Sequence, residues 1–276
     1  MRRLGWLRLW RHRSGRLSLI ILALIVGSIL AAPWLTTYNP YETSDRWLDP
    51  PSRDHLFGTD DLGRDVLARV LYGGRNSLII GFISVGLGLV AGAVLGLVSG
   101  YWEGAADHVI MRVIEVLMAF PNILLALAIV SVLGPSLLNL MLALGVAAVP
   151  QYARVVRASV LSAKHNDYVE AARALGGGWW RIMLRHLIPN IVPPTLVITT
   201  LGLAQAILTA AGLSFIGLGP PPPAPEWGGM LAAARNYIYS AWWFITFPGL
   251  AISLTVLAIN LLGDALRDVM DPRMKV

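Results

Sequence analysis

Long stretches almost free of charge constrain this chain more than any other feature. They cover residues 17–45, 76–102, 116–153, 187–225 and 236–263. A membrane-spanning helix needs about 20 mostly apolar residues, because the hydrocarbon layer is about 30 Å thick. The third stretch is long enough for two spans and contains Gly134-Pro135-Ser136, which predicts a turn between them. The sequence therefore predicts an all-α membrane protein with six transmembrane helices.

Spans and loops alternate along the predicted chain. A basic start precedes the first apolar stretch, Leu17–Leu35, so a cleavable signal peptide is an alternative interpretation of that segment. Its length exceeds the roughly 7 to 15 apolar residues of a signal peptide, which favours a retained first helix.

The predicted segments are an N-terminus at 1–16, TM1 at 17–36, an external loop with an amphipathic helix at 37–75, TM2 at 76–101, TM3 at 109–133, TM4 at 137–157, a cytoplasmic loop at 158–189, TM5 at 190–217, an external loop at 218–240, TM6 at 241–263 and a C-terminus at 264–276.

The basic residues predict the orientation of the chain. If the N-terminus is inside, 16 of the 22 Lys and Arg residues lie in the N-terminus, the inner loops and the C-terminus. Positive loops stay on the cytoplasmic side, so both termini are predicted to be cytoplasmic. The net charge of +6 and pI near 10 are compatible with a nucleic-acid partner, but these residues flank the spans. The basic residues are therefore expected to contact membrane lipid headgroups, and no nucleic-acid partner is expected.

The predicted spans contain almost no ionisable residues, whereas ion-coupled transporters usually carry them along the transport path. The Arg112 and Glu115 pair near the inner end of TM3 is interpreted as an interfacial ion pair rather than a proton relay. Neither Lys164 nor Lys275 follows a glycine, as the lysine of a phosphate-binding loop must. The chain is thus expected to have no ATPase site, no catalytic residue and no cofactor. With no cysteine, thiolate metal sites and disulfides are also excluded, and no metal site is predicted.

Uncharged polar side chains within the predicted spans are candidates for a hydrophilic path. The alternative is that they form hydrogen bonds between neighbouring helices, each worth about 0.6 kcal/mol. The candidates for the translocation path are Thr200, Gln205, Thr209, Ser253 and Asn260.

The loop between TM4 and TM5 carries a pattern that a simple connector does not need. Asp167 and Glu170 resemble a capping box, which predicts a helix from Tyr168. One stripe of that helix, with spacing i, i+3, i+4 and i+7, is formed by Tyr168, Ala171, Ala172 and Leu175. Glu170 lies off the stripe and is expected to pair with Arg173.

The end of the same loop predicts a second helix. Gly176 to Gly178 supply the positive φ values that terminate a helix. A second helix is then expected from Trp179 to Ile188, stopped by Pro189. Taken alone, the two helices could also be an amphipathic hairpin resting on lipid headgroups, which tryptophans suit.

The spacing within this loop is E-A-A, three residues, G, and a proline thirteen residues after that glycine. It resembles the EAA loop of ABC importer permeases, in which a helix pair sits in a cleft of the cytoplasmic ATPase subunit. The resemblance implies that Glu170, Ala171, Ala172 and Gly176 take the motif positions, and that they contact the ATPase together with Tyr168 and Leu175. One departure is His186, where the motif usually has isoleucine.

Four further segments resemble the second permease of the dipeptide, oligopeptide and nickel branch. They are L-F-G-T-D-D-L-G-R-D-V-L at 56–67, G-L-S-F-I-G-L-G at 212–219, P-E-W-G at 225–228 and L-L-G-D-A-L-R-D-V-M-D-P at 261–272. The resemblance implies the type I importer permease fold, a second homologous permease, two ATPase subunits that bind ATP and Mg, and an extracytoplasmic substrate-binding protein. It also implies location in the bacterial cytoplasmic membrane.

Peptides are the expected substrate and nickel is the alternative, because His55 is the only histidine predicted to be external and cysteine is absent. An ion-coupled secondary transporter and a scaffolding membrane protein are the alternatives from other functional classes.

The 56–67 stretch also predicts an outer amphipathic helix from about Asp60, with Val66, Leu67, Val70 and Leu71 on one side. That helix is either an interfacial elbow or a docking surface for the binding protein.

Overall fold

The computed structural model describes Trp10 and residues 12–270, and within these residues the fold is helical, with a single isolated bridge between Thr59 and Asp65. Most of the basic N-terminus and the last six residues, which include Lys275, lie outside the described part. The helices are α1 Arg13–Leu30, α2 Ala32–Leu35, α3 Val66–Trp102, α4 Gly104–Met118, α5 Asn122–Leu133, α6 Leu137–Lys164, α7 Asp167–Ala174, α8 Trp179–Ile182, α9 Ile188–Phe215, α10 Trp227–Ala234 and α11 Trp242–Met270. A π-helical turn, Met183–Leu187, joins α8 to α9, and a 3-10 turn, Arg235–Tyr237, follows α10.

Five of the helical segments are long and apolar enough to cross a membrane: α1, α3, α6, the continuous segment Trp179–Phe215, and α11. The remaining predicted span, TM3, is a pair of helices, α4 and α5, that meet at an angle of 88° around Pro121. Proline lacks an amide donor, so a helix commonly breaks where it occurs. The all-α membrane fold is confirmed, with six spans when the bent pair counts as one.

Helix α3 has 37 residues. At 1.5 Å per residue it is roughly 55 Å long, so it extends beyond the hydrocarbon layer. It packs along α6 through a row of buried glycines at four-residue spacing, Gly88, Gly92, Gly96 and Gly100. A Cβ atom on Gly92 would lie 2.5 Å from the Cβ of Tyr152, and one on Gly100 would lie 2.8 Å from the Cβ of Val160. The two backbones therefore approach closely, as in other small-residue helix pairs in membranes.

Helix α11 packs against α1 and α9, and α9 in turn packs against α3 and α6. A core of large side chains lies where α11 meets α10, with Trp227, Met230 and Phe244 all at 1% exposure. The helices are joined at this end by residues 36–65 and 216–241, which we call the polar cap.

The prediction of an outer helix from about Asp60 is wrong. Residues 56–65 form turns, and α3 begins at Val66, where the Asp65 carboxylate accepts a 2.7 Å hydrogen bond from the amide of Ala68. Val66, Val70 and Leu71 are buried within the protein. The acidic and basic residues before Val66 form ion pairs with one another, with His55 and with Arg69.

Candidate functional site

Helix α7 has one buried side chain, and most of its other residues are exposed. Val169 is fully buried and packs with Val160, Ile182 and Leu187. The four residues of the predicted stripe, Tyr168, Ala171, Ala172 and Leu175, line a cleft of about 410 Å³ together with Arg181, Arg185 and His186. Leu175 is 89% exposed, which is unusual for a large apolar side chain that has no partner. We call this surface the EAA cleft.

Two expected details of this loop are wrong. Helix α7 begins at Asp167 after Asn166, and no side chain caps it, so the capping box of Asp167 and Glu170 does not form. Within the described residues, Glu170 and Arg173 make no ion pair within 4.0 Å. Both side chains are exposed and point away from the buried face. Among the residues that the structure describes, Glu170 is therefore an unpaired carboxylate beside the EAA cleft.

Gly176 has a φ of +79°, a left-handed conformation that glycine adopts without strain, and a Cβ there would meet no atom within 4 Å. This residue turns the chain from α7 towards α8. The second helix does not stop at Pro189 as expected: it continues through the π turn and α9 to Phe215. The Asn190 side chain donates a 2.6 Å hydrogen bond to the His186 carbonyl in this irregular turn. The EAA cleft is thus continuous with a membrane-spanning segment.

Charged contacts join the neighbouring ends of α3, α4 and α6 to one another. Arg157 donates two 2.6 Å hydrogen bonds to the carboxylate of Asp107, which also accepts one from Ser99. Lys164 donates to Glu103 at 2.7 Å, and this bond lowers the pKa of the Glu103 carboxyl below its ordinary value. These contacts fix the end of α6 from which α7 extends.

The candidate path residues do not all lie together. Gln205 and Thr209 share a pocket, and the Gln205 amide donates to the Thr209 hydroxyl at 3.2 Å. The Thr200 hydroxyl instead donates to the Leu196 carbonyl within α9. Ser253 is exposed and Asn260 is partly buried on α11, and neither lines that pocket.

The pocket brings together polar residues that the sequence analysis missed. Besides Gln205 and Thr209 it is lined by Ser84 of α3, Asn122 at the start of α5, and Gln151 and Tyr152 of α6. We call it the amide pocket. Asn122 and Gln151 each follow a proline, and a carboxamide beside a proline in an apolar stretch was the available signal.

At the opposite end of the helices, the polar cap encloses an ionic network. Asp60 is fully buried and accepts hydrogen bonds from the amides of Leu62 and Arg64 at 2.9 Å. It also accepts a 2.7 Å bond from the Arg64 guanidinium and lies 3.3 Å from that of Arg69. Burial, followed by the nearby Asp60 carboxylate, raises the pKa of Asp61 above its ordinary value. Asp60 is thus held by several hydrogen bonds, whereas the only ion pair of Asp61 among the described residues is a 3.7 Å contact with Arg64.

The two halves of the polar cap are joined through α3. The Glu226 carboxylate is 2% exposed, accepts from the amides of Gly228 and Gly229, and accepts a 3.1 Å bond from Ser77. Asn76 donates to the Pro225 carbonyl at 2.7 Å. The P-E-W-G segment is therefore a structural element of the cap that holds α10 against α3.

Solved structures resemble this arrangement of helices. One permease of the MetNI methionine ABC transporter, in an inward-facing conformation, matches 73% of this chain and 96% of its own with a TM-score of 0.59 at 21% identity. An amino acid ABC transporter crystallised with histidines matches 72% of this chain and 92% of its own with a TM-score of 0.57 at 19% identity. The fold is that of ABC importer permeases.

Sequence relatives identify the family. A putative peptide transport system permease protein of Brucella abortus is 48% identical, covering 98% of this chain and 91% of the relative. The di/tripeptide transport system permease protein DppC of Pseudomonas aeruginosa is 46% identical, covering 96% and 90%. The family model of the binding-protein-dependent transport system inner membrane component matches residues 92–276, and the N-terminal transmembrane domain of oligopeptide transport permease C matches residues 1–51. This chain belongs to the binding-protein-dependent transport system inner membrane component family.

Proposed function

We propose that the chain is a permease subunit of an ATP-driven importer for dipeptides or oligopeptides. The observation that carries the proposal is the EAA cleft: an apolar, exposed surface on a helix held by Val169 and continuous with a spanning segment. The family membership and the names of the relatives as peptide permeases support the same function. No catalytic residue is assigned, and the chain acts as a transporter subunit without its own ATPase site.

The complex would contain a second homologous permease, two cytoplasmic ATPase subunits and an extracytoplasmic substrate-binding protein. ATP and Mg would bind to the ATPase subunits. Their closure would move α7 through contacts with Tyr168, Ala171, Ala172 and Leu175. Since α8, the π turn and α9 are continuous, movement at the EAA cleft would reach the spans and shift the balance between inward-facing and outward-facing states.

The orientation follows from the positive-inside rule, with the EAA loop and both termini in the cytoplasm of a bacterium. The polar cap would then face outwards, where the substrate-binding protein docks. Nickel remains the alternative substrate, and the relatives named for peptides favour the peptide assignment over it.

The decisive experiment copurifies this chain with its permease, ATPase and binding-protein partners and reconstitutes the complex in lipid vesicles. Binding protein loaded with a di- or tripeptide should stimulate ATP hydrolysis and peptide uptake. Stimulation by a nickel chelate alone would overturn the peptide assignment. Uptake that proceeds without the ATPases and stops when a proton gradient is dissipated would favour a secondary transporter.

A further inference from the structure

The amide pocket lies between four helices, α3, α5, α6 and α9, and has a volume of about 60 Å³. A space of at least about 10 to 15 Å³ is needed to hold one water molecule. The pocket can therefore take a small polar group such as a single amide unit, but not a whole peptide at once.

Two hydroxyl groups at the pocket are buried without a well-formed hydrogen bond to any described residue. Tyr152 is 2% exposed and Ser84 is 1% exposed. The Ser84 hydroxyl makes no hydrogen bond within the described residues, and the Tyr152 hydroxyl makes only a contact with Thr199 of α9 that falls short of ordinary hydrogen-bond geometry. A buried polar group without a partner destabilises the folded state, so such groups require a reason. Both side chains line the amide pocket, where a ligand can supply the missing partner.

Three carboxamides surround these hydroxyls and are exposed on the protein surface: Asn122, Gln151 and Gln205. They come from three different helices within apolar stretches. An exposed carboxamide cannot be satisfied by lipid tails, so this surface does not face hydrocarbon. The polar groups belong instead to a water-filled path or a protein interface.

The bend between α4 and α5 adds a further polar element. It places the amino-terminal end of the 12-residue α5 at the pocket, and no side chain caps that end. Free amide groups at a helix start carry a partial positive charge and attract carbonyl oxygens. Broken helices serve transporters in this way near the middle of the membrane.

All hydrogen-bonding side chains of the amide pocket are uncharged at neutral pH. They combine donors with acceptors, as a peptide amide does, and they include no histidine or carboxylate that would hold a divalent metal. On the basis of the proposed function, we propose that the amide pocket binds the main-chain amide of a peptide in transit. Tyr152 and Ser84 are its specificity-determining hydroxyls. Sequence-independent recognition of the backbone suits a transporter whose side-chain selectivity lies in the binding protein.

The test uses the reconstituted complex with saturating binding protein preloaded with trialanine. Tyr152→Phe and Ser84→Ala each remove one hydroxyl and should lower the maximal uptake rate about three- to tenfold, the range expected for one lost hydrogen bond. Ser28→Ala is the matched control, because the Ser28 hydroxyl already donates to the Ile25 carbonyl within α1. Its uptake rate should equal that of the wild type.

A second substrate separates recognition from structure. Trialanine methylated on its central amide nitrogen should be transported more slowly by the wild type, and the hydroxyl variants should lose most of this discrimination. Because neither hydroxyl makes a well-formed hydrogen bond to a described residue, their removal should not lower the melting temperature of the complex. Wild-type uptake rates in both variants, or a lower rate accompanied by a lower melting temperature, would overturn the assignment of the pocket. Failure of the wild type to transport trialanine would overturn the proposed function and this inference with it.

Discussion

The guanidinium group of Arg157 on α6 binds the Asp107 carboxylate on α4 through two parallel hydrogen bonds of 2.6 Å. The side chains are 32% and 15% exposed, so the pair is only partly screened by solvent. It joins the first half of the bent helix pair to the span that precedes the EAA loop. Bidentate ion pairs of this kind restrict the relative orientation of the two side chains as well as the distance between them.

Replacing Arg157 tests how strongly this pair holds the helices. Arg157→Gln should lower the free energy of unfolding by about 1 to 3 kcal/mol, since it removes two charge-assisted bonds. Arg157→Lys should cost less, because lysine keeps the charge but cannot make both bonds in one plane. Thermal unfolding of the detergent-solubilised complex measures both. Arg154→Lys is the control, as Arg154 is exposed and makes no ion pair among the described residues.

The glycine row between α3 and α6 should tolerate no side chain. Gly92→Val places atoms where Tyr152 and the Val149 carbonyl already lie, and should cost about 1 to 3 kcal/mol or prevent assembly. Gly86→Ala is a matched change in the same helix, with no atom within 4 Å of the new Cβ. It should be neutral or stabilising by up to about 1 kcal/mol. Equal melting temperatures for both variants would contradict the close packing.

Asp60 and Asp61 should respond to neutralisation in opposite directions. Asp60→Asn removes the fully buried carboxylate that contacts the guanidinium groups of both Arg64 and Arg69, and should cost about 3 to 5 kcal/mol. Asp61→Asn removes a carboxylate whose ionised form is disfavoured by burial more than its 3.7 Å ion pair with Arg64 favours it, and should raise stability at pH 7 by at most about 1 kcal/mol.

The pH dependence follows from the raised pKa of Asp61. Below the ordinary pKa of 3.8 the Asp61 carboxyl is protonated in both the folded and the unfolded state. Burying it then places no charge in the protein interior and does not lower the free energy of unfolding. The penalty appears as the pH rises through the higher folded-state value. The advantage of Asp61→Asn over the wild type should therefore be present at pH 7 and absent at about pH 3. Unfolding curves at the two pH values measure it, and a constant difference would contradict the raised pKa.

Gly176 tests the proposed transmission through the EAA loop. Gly176→Val forces a β-branched residue into a left-handed conformation at a cost of about 1 to 3 kcal/mol, which should reorient α7 and reduce ATPase copurification and uptake. Gly178→Val is the control: Gly178 also has open space around it, but its φ is −63°, which valine adopts readily. Membrane insertion should be normal in both.

Charge reversal at Glu170 tests the same contact through electrostatics. Because Glu170 is exposed and makes no ion pair within the described chain, Glu170→Lys should leave the melting temperature of the isolated subunit unchanged. Peptide uptake and ATPase copurification should fall sharply. Glu42→Lys reverses another exposed carboxylate in the polar cap and should retain ATPase binding. Normal uptake and copurification with Glu170→Lys would contradict the coupling assignment.

The helical membrane fold could be predicted because hydrocarbon allows few alternatives: apolar stretches of sufficient length must form helices that satisfy their own backbone groups. The stripe of Tyr168, Ala171, Ala172 and Leu175 could also be predicted, since residues at those spacings share one face of a helix whatever surrounds it. Family resemblance at the EAA loop was sufficient to identify the class of protein.

Tertiary structure decided the polar interactions. The spacing of Val66, Leu67, Val70 and Leu71 predicted an amphipathic helix from about Asp60, but the helix begins only at Val66, and Asp60 and Arg64 form a buried ion pair before it. The amide pocket brings together residues from four helices: Ser84, Asn122, Tyr152 and Gln205. No local sequence pattern predicts that these residues lie close together. Local periodicity determines which face of a helix is apolar, whereas the partner of each polar group depends on which helices pack together. The sequence alone thus determined the spans and the EAA stripe, and helix packing decided which polar side chains meet in the amide pocket.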